Sequence, residues 1–117
     1  MPESKKDVYV ENLIAPVGLP VAYRQFIPYK NKPVPNPPYL IYTITPVKAG
    51  GADNKNLYVK KQVTVELYTD APDAALERKV EDALTTVQWT KYEEYIESEA
   101  LNMVSYEFEI YEKLGRL

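Results

Sequence analysis

Residues 57–69 read LYVKKQVTVELYT, and this stretch decides the fold because it is the longest alternating segment of the chain. From Leu57 to Leu67 every second side chain is apolar with one exception, and the apolar members are Leu57, Val59, Val63, Val65 and Leu67. Such alternation predicts a β-strand that buries one face. Lys61 interrupts the apolar row, so a bulge or an edge position is expected there.

Four further segments predict strands around this one. Residues 39–47 (YLIYTITPV) are β-branched and aromatic on both faces, which is typical of a central strand. Residues 101–111 alternate between apolar and polar side chains, while residues 88–96 and 21–26 give shorter strand signals. The strands are therefore expected to build a mostly antiparallel sheet.

One helix is predicted after the longest strand. Residues 69–73 (TDAPD) carry a capping residue, an early proline and an acidic side chain, which together indicate a helix start. Apolar side chains then recur at helical spacing, at Leu76, Val80, Ala83, Leu84 and Val87. The sequence therefore predicts an α+β domain: a mostly antiparallel β-sheet, one long amphipathic helix packed across it and a short N-terminal helix or arm.

The chain is long enough for one domain, which is expected to span residues 1–117. Residues 1–16 are expected to form the N-terminal arm or short helix. Five prolines within residues 28–38 predict an extended surface loop, because a central strand does not tolerate them. The two glycines within residues 48–56 predict a hairpin loop.

The composition excludes several classes of catalytic site. The chain has no histidine and no cysteine, which excludes Ser-His triads, thiol catalysis and disulfide scaffolds, and leaves no histidine or thiolate ligand for zinc. No catalytic residue, metal site or cofactor is therefore predicted, and a role as an enzyme is not expected. No apolar run reaches the length of about 20 residues that a membrane span needs, and no signal-peptide core follows the first residues.

The charge is distributed unevenly along the chain. Residues 1–65 carry a net charge of +5 and residues 66–117 carry −8, within a total of −3. Either the two halves fold together and their charges mix on one surface, or a basic face of one copy meets an acidic face of the next. The 11 tyrosines also favour protein contacts, because this side chain offers large contact area at low entropic cost.

Several short segments, in their order and spacing, carry a resemblance to a known family. They are residues 18–26 (GLPVAYRQF), 37–42 (PPYLIY), 52–55 (ADNK), 65–70 (VELYTD), 95–99 (YIESE) and 106–110 (YEFEI). Over residues 13–112 the chain resembles the tail terminator, or tail-to-head joining (tail completion), proteins of long-tailed phages and prophages of Gram-positive bacteria. The prolines of residues 28–38 are denser than that family's pattern leads us to expect.

The resemblance implies a structural protein of the virion that is assembled in the host cytoplasm. It implies a homo-oligomeric ring, expected to be a hexamer, that caps the tail tube, ends tail elongation and joins the tail to the head connector. The implied partners are other copies of the chain, the tail tube protein and the head–tail connector protein. DNA is expected to pass through without specific binding, and no membrane is involved.

Two sets of surface residues follow as hypotheses from this implied ring. An acidic lumen that repels the DNA backbone is expected to include Glu93, Glu94, Glu97, Glu99, Glu107 and Glu109. The basic hairpin is expected to reach a neighbouring subunit or the tube, with candidate contacts at Lys48, Lys55, Tyr58, Lys60 and Lys61. Two alternatives stay open: a head-completion or connector protein on the head side of the joint, and a small non-viral binding module with an exposed strand edge.

Overall fold

A five-stranded mixed sheet with two short helices on one face forms the framework of the protein. The computed structural model describes residues 7–28, 33–47 and 58–113. In chain order the elements are α1 (Val8–Ile14), β1 (Val21–Tyr23), β2 (Tyr39–Val47), β3 (Tyr58–Thr69), α2 (Ala74–Ala83), β4 (Thr90–Ile96) and β5 (Leu101–Lys113). Short 3₁₀ turns follow α1 at Ala15–Val17 and β4 at Glu97–Glu99. The predicted hairpin loop, residues 48–56, lies outside the described residues.

The sheet has the strand order β1-β2-β3-β5-β4. β3 lies in the middle and runs antiparallel to β2 and to β5, and β4 runs antiparallel to β5. β1 runs parallel to β2, so the sheet is mixed. The connection between β1 and β2 spans residues 24–38, which is long enough to carry the chain back to the same end of the sheet before β2 begins.

The predicted α+β domain with one long amphipathic helix is wrong, because the protein is mainly β-sheet and both helices are short. Helix α2 has ten residues and begins after Asp73, whose side chain accepts a hydrogen bond from the Leu76 amide. It ends at Ala83, because the β-branched run Thr85-Thr86-Val87 disfavours further helical turns. Leu84 and Val87 still pack on the core, although both lie beyond the end of the helix. The apolar periodicity therefore continued past the last helical turn.

The core lies between the two helices and one face of the sheet. Its most deeply buried members include side chains from both helices and from the three central strands. These are Val10, Ile14, Val80, Leu84, Leu40, Tyr42, Val63, Val65, Leu67, Val104 and Tyr106. The alternation of residues 57–69 that predicted a half-buried strand is confirmed.

The expected bulge or edge position at Lys61 is also wrong. β3 is a central strand, and its register passes unbroken through Lys61, which pairs with Pro46 on one side and Ile110 on the other. The lysine is tolerated on the core face because its Nζ lies 3.2 Å from Oδ2 of Asp7, at the start of α1. An ion pair with the adjacent helix thus replaces the apolar contact that the pattern lacks.

Candidate functional site

The sheet face opposite the helices is the first candidate surface. We call it the open face; the cross-strand row Thr43–Thr64–Glu107–Thr90 runs along it. Neither of the described helices packs on this face, since the side chains that contact α1 and α2 belong to the other set of alternate positions. Thr90, Glu107 and Glu109 on this face are exposed, whereas Ile41, Leu101 and Ser105 on the same face are buried.

Carboxylates outnumber cations on the open face. Strand register places four of them there: Glu66, Glu94, Glu107 and Glu109. Among the described side chains of this face, Lys60 is the one cation, and its Nζ lies 3.4 Å from Oε2 of Glu109. The described side chains of the open face therefore carry a net negative charge.

The structure separates the predicted acidic residues into three groups. Glu94, Glu107 and Glu109 lie on the open face, whereas Glu93 pairs with Val104 and lies on the opposite face. Glu97 and Glu99 lie in the 3₁₀ turn after β4, so strand alternation does not reach them. All six side chains are exposed. Sequence reasoning missed Glu66, although its polar position in the alternating pattern of residues 57–69 was the available signal.

The predicted basic residues do not form one cluster in the described structure. Lys60 and Lys61 point to opposite faces because neighbouring residues of a strand alternate. Both form ion pairs within the chain, to Glu109 and Asp7 respectively. Lys48 and Lys55 lie outside the described residues, and so does the side chain of Tyr58, which opens β3.

An aromatic cluster covers one end of the open face. The rings of Phe26 and Tyr39 meet edge to face with centroids 5.1 Å apart, and Tyr39 stacks on Tyr68 at 5.2 Å. The Tyr68 hydroxyl donates a hydrogen bond to Glu66 (2.8 Å). Burial and this carboxylate raise the pKa of Tyr68, and burial together with Glu99 raises the pKa of Tyr39. Both phenols are therefore harder to ionise than an unperturbed tyrosine.

Beneath the opposite face, Tyr42 connects α1 to the sheet. The Asp7 amide donates a hydrogen bond to the Tyr42 hydroxyl oxygen (2.8 Å), and that hydroxyl donates to Oε2 of Glu11 (2.7 Å). Asp7 also caps α1 through the Val10 amide (3.1 Å) and binds Lys61. Burial raises the pKa of Tyr42, and the Glu11 carboxylate raises it further. This network fixes the first turn of α1.

A similar network connects α2 to β4 and β5. The Tyr106 hydroxyl donates to Oε2 of Glu81 (2.9 Å), and Lys91 Nζ lies 2.8 Å from both Glu81 and Glu77. The Trp89 ring meets the Tyr106 ring edge to face. Burial alone would raise the pKa of Glu81, but the hydrogen bonds from Lys91 and Tyr106 lower it overall. The pKa of Lys91 is raised by the hydrogen bonds that Lys91 donates to Glu77 and Glu81. The charges of Lys91, Glu77 and Glu81 therefore stabilise the packing of α2 on the sheet.

The sheet is five strands wide in one half and three strands wide in the other. β4 pairs with β5 only as far as Glu107, although β5 continues to Lys113 along β3. On the other side, β1 pairs with β2 only as far as Tyr42, although β2 continues to Val47. Among the described strands, two stretches therefore have a strand partner on one side only; we call them the β5 free edge (residues 108–113) and the β2 free edge (residues 43–47).

These surfaces are not accompanied by a metal site or a membrane-spanning helix among the described residues, and no related protein is found. Within residues 7–28, 33–47 and 58–113, no three acidic side chains come together as a metal site would require. None of the helices described is long and apolar enough to cross a membrane. The sequence matches no protein-family model, and a search of curated proteins gives no match.

Proposed function

We propose that the protein is a structural component of a phage tail, where a ring of its copies caps the tail tube, ends tail elongation and joins the tail to the head connector. The observation that carries this proposal is the open face, a sheet surface on which neither described helix packs and whose described side chains carry a net negative charge. The order of short motifs that resembles tail terminator proteins gives it independent support. A hexameric ring in the virion neck follows from that resemblance.

An acidic sheet surface suits the lining of a channel for DNA. The duplex carries one negative charge for roughly every 1.7 Å of its axis, so a surface with a net negative charge does not hold it by counterion release. Glu66, Glu94 and Glu107 lie on the open face without a lysine or arginine partner within ion-pair distance among the described residues. DNA that is repelled by its channel wall slides through without specific binding.

The two free edges suit the contacts of a ring. A ring closes when one surface of each copy meets a different surface of the next, which requires unlike surfaces on opposite sides of the subunit. The β2 free edge and the β5 free edge lie on opposite sides of β3 and differ in sequence. The described sheet therefore presents two unlike edges on opposite sides.

The first test is native mass spectrometry with negative-stain imaging of the full-length protein, alone and with the tail tube protein. We expect closed rings, either in solution or at the ends of tubes. Rings that bind the head connector and ignore tubes would favour the head-side alternative. A monomer that is indifferent to both partners contradicts the proposal.

The charge of the open face gives a second test. The double substitution Glu94→Lys with Glu107→Lys should make rings bind duplex DNA at low salt, where wild-type rings do not. Asp82→Lys with Asp70→Lys is the matched control, because it makes the same change in charge at exposed positions off the open face. Equal DNA binding by the two variants would contradict an open face that lines the channel.

The basic hairpin hypothesis is tested at Lys48 and Lys55. Reversing both to glutamate should abolish rings while the monomer stays folded, and rings that persist would refute this contact. Lys61 is left unchanged, because a glutamate there would face Asp7 and destabilise α1 for an unrelated reason. Lys60→Glu serves as a separate variant, since it also removes the ion pair with Glu109.

One observation favours a second candidate, a small binding module that accepts an extended peptide. The β5 free edge leaves backbone donors and acceptors without a strand partner in the described structure, and such edges bind peptides by strand addition. A module of this kind is a monomer or dimer at micromolar concentration, so the mass measurement separates it from a ring.

A further inference from the structure

We infer that a turn that follows β1 in one copy docks into a notch beside the β5 free edge of a second copy. This inference rests on the proposed ring and names the two surfaces that form its contact. The turn comprises residues 24–27 on the side of the sheet where β1 lies, and the notch lies on the opposite side, next to β5. A contact between unlike surfaces repeats from copy to copy until a ring closes.

Backbone hydrogen bonds hold the turn in place within one copy. The Arg24 amide donates to the Tyr42 carbonyl oxygen at 2.8 Å, and the Gln25 amide donates to that of Tyr23 at 2.8 Å. Arg24 has a φ of 73°, which is unfavourable for a residue with a side chain, and strain of this kind is concentrated at functional sites. Because the turn is already ordered, docking costs it little conformational entropy.

The turn presents one apolar and one cationic side chain to solvent. Ile27 is 69% exposed, although it is a large aliphatic residue. Arg24 is exposed as well, and no carboxylate in the described part of the chain forms an ion pair with it. These two side chains suit a partner surface that is apolar at its centre and has a carboxylate at its rim.

The notch is such a surface. It is a cleft of about 540 Å³, and its apolar lining residues are Tyr9, Val87, Ile110 and Tyr111. The rings of Tyr9 and Tyr111 are more than half exposed, so a contact here buries apolar area that solvent now reaches. Asp7 and Lys61 also line the notch, but they pair with each other at 3.2 Å. Glu109 is the remaining carboxylate of its lining.

Glu109 has an oxygen left for Arg24 of the neighbouring copy. Lys60 Nζ and Gln62 Nε2 both approach Oε2 of Glu109, each at 3.4 Å. No donor among the described residues binds its other oxygen, Oε1. A carboxylate accepts several hydrogen bonds at once, and a guanidinium is a strong donor to it.

The turn and the notch lie at the same level of the sheet. Residues 24–27 border one cleft together with Ile44 and Pro46 of the β2 free edge. The strand register places Pro46 in one cross-strand row with Ile110, which lines the notch. Two copies that stand side by side therefore bring Ile27 of one to the notch of the next.

The outer strands leave room for this contact. β4 fills the place beside residues 101–107 of β5, and β1 fills the place beside residues 40–42 of β2. With β4 of one copy next to β1 of the other, the two free edges face each other across three strand spacings, about 14 Å. The turn occupies this gap, so no strand of one copy takes a place that a strand of the other already fills.

An exchange of charge tests the contact. Arg24→Glu reverses the charge of the turn, and Glu109→Arg reverses that of the notch. Each variant alone should raise the protein concentration at which rings are half assembled by about tenfold or more, because like charges then meet in every contact. Arg78→Glu and Asp82→Arg make the same changes at exposed positions of α2 and should assemble as the wild type does. Native mass spectrometry across a concentration series measures assembly.

Mixing the two charge variants separates a lost contact from lost folding. In an equimolar mixture, Arg24 of one variant meets Glu109 of the other, and the two substituted residues meet in the next contact. We expect rings of alternating copies from the mixture, since alternation closes in a ring with an even number of copies such as the expected hexamer. The chain that carries both substitutions should also form rings. A variant that had failed to fold would not be rescued in either way.

The apolar part of the contact is tested by Ile27→Asp. This variant should also raise the concentration for half assembly by about tenfold or more, because it places a charge in the apolar notch. Val34→Asp is the matched control, because Val34 is another exposed apolar residue of the connection between β1 and β2 and does not line the notch.

The outcomes distinguish this inference from the proposed function. Rings from the mixture but from neither charge variant alone support the contact. Charge variants that assemble as the wild type does, or that neither mixing nor the double substitution rescues, would overturn it and leave the proposed ring intact. Equal assembly of Ile27→Asp and Val34→Asp would overturn the docking of the turn in the notch. The absence of wild-type rings under all conditions would overturn both the contact and the proposed function.

Discussion

Removal of one hydroxyl group, in the variant Tyr42→Phe, tests how α1 is held on the sheet. The Tyr42 ring is fully buried, and its hydroxyl donates to the Glu11 carboxylate and accepts from the Asp7 amide. Loss of a hydrogen bond to a charged group costs about 1.5–3 kcal/mol, and loss of the amide's partner adds up to about 1 kcal/mol. Because Glu11 is half-buried and regains water, we expect a total near the lower end, about 2–3 kcal/mol.

The measurement is urea unfolding followed by circular dichroism and by the fluorescence of Trp89, the one tryptophan of the chain. A loss of this size lowers the urea midpoint by about 1.5 M for a protein of this length. It lowers the melting temperature by roughly 8–12 °C. Tyr23→Phe is the matched control, because the Tyr23 ring contacts the Tyr42 ring but its hydroxyl lies 3.4 Å from the Ile44 carbonyl oxygen. We expect the control to cost less than about 0.5 kcal/mol.

A double-mutant cycle with Glu11→Ala isolates the contact. If the Tyr42 hydroxyl acts through Glu11, the two substitutions together should cost at least about 1 kcal/mol less than the sum of their separate costs. The reasoning is refuted if Tyr42→Phe is no more destabilising than Tyr23→Phe, or if the two effects are additive.

Three further predictions concern α2 and the buried phenols. Lys91→Met should lower the free energy of unfolding by about 1–3 kcal/mol, because Glu77 and Glu81 lose their shared cation. The second substitution Glu81→Gln should recover part of this loss, as measured by urea unfolding. A further loss of stability in the double variant would contradict this account. Stability should fall above about pH 10, because unfolded tyrosines ionise there while burial keeps the folded pKa of Tyr42 and Tyr106 higher. Urea midpoints that do not change between pH 9 and pH 11 would oppose this account. Asp73→Ala should lower the free energy of unfolding by about 1 kcal/mol, because it removes the side chain that caps α2. Asp70→Ala, at an exposed position, is the control in thermal unfolding and should have no effect. Equal effects of the two substitutions would show that the cap contributes nothing.

The strands were the part of the fold that could be predicted most closely. The predicted strand at residues 39–47 coincides with β2, and the one at residues 57–69 differs from β3 by a single residue. Both segments are rich in β-branched and aromatic residues, and the alternation within residues 57–69 is hard to produce by any other element. The periodic signal is therefore strongest where burial of one face is regular.

The helix was overpredicted because burial and helical geometry ended at different residues. Leu84 and Val87 lie where a longer helix would place apolar side chains, yet the chain has already turned after Ala83. An apolar pattern reports which side chains are buried and does not report the backbone between them. The threonines at 85 and 86 were the local signal that the helix ends.

The candidate surface could be predicted only in part for the same reason. Strand alternation correctly separates Glu107 and Glu109 from the core, but the hypothesis of one acidic lumen combined Glu93 with Glu94, which point to opposite faces, and with the turn residues Glu97 and Glu99. The strand ends at Ile96, so parity has no meaning beyond it. The side of the sheet that the helices cover depends on contacts between distant segments, which parity does not encode.

By itself, the sequence determined the strand-forming segments, the absence of histidine and cysteine chemistry and the acidic charge of the C-terminal half. These properties depend on residue types and on neighbours a few positions away. Only the tertiary structure decided that β1 runs parallel to β2, that Lys61 is neutralised by Asp7 and that both outer strands stop halfway along the sheet. Each of these depends on segments separated by many residues, and their pairing is selected by the packing of the whole chain around one core.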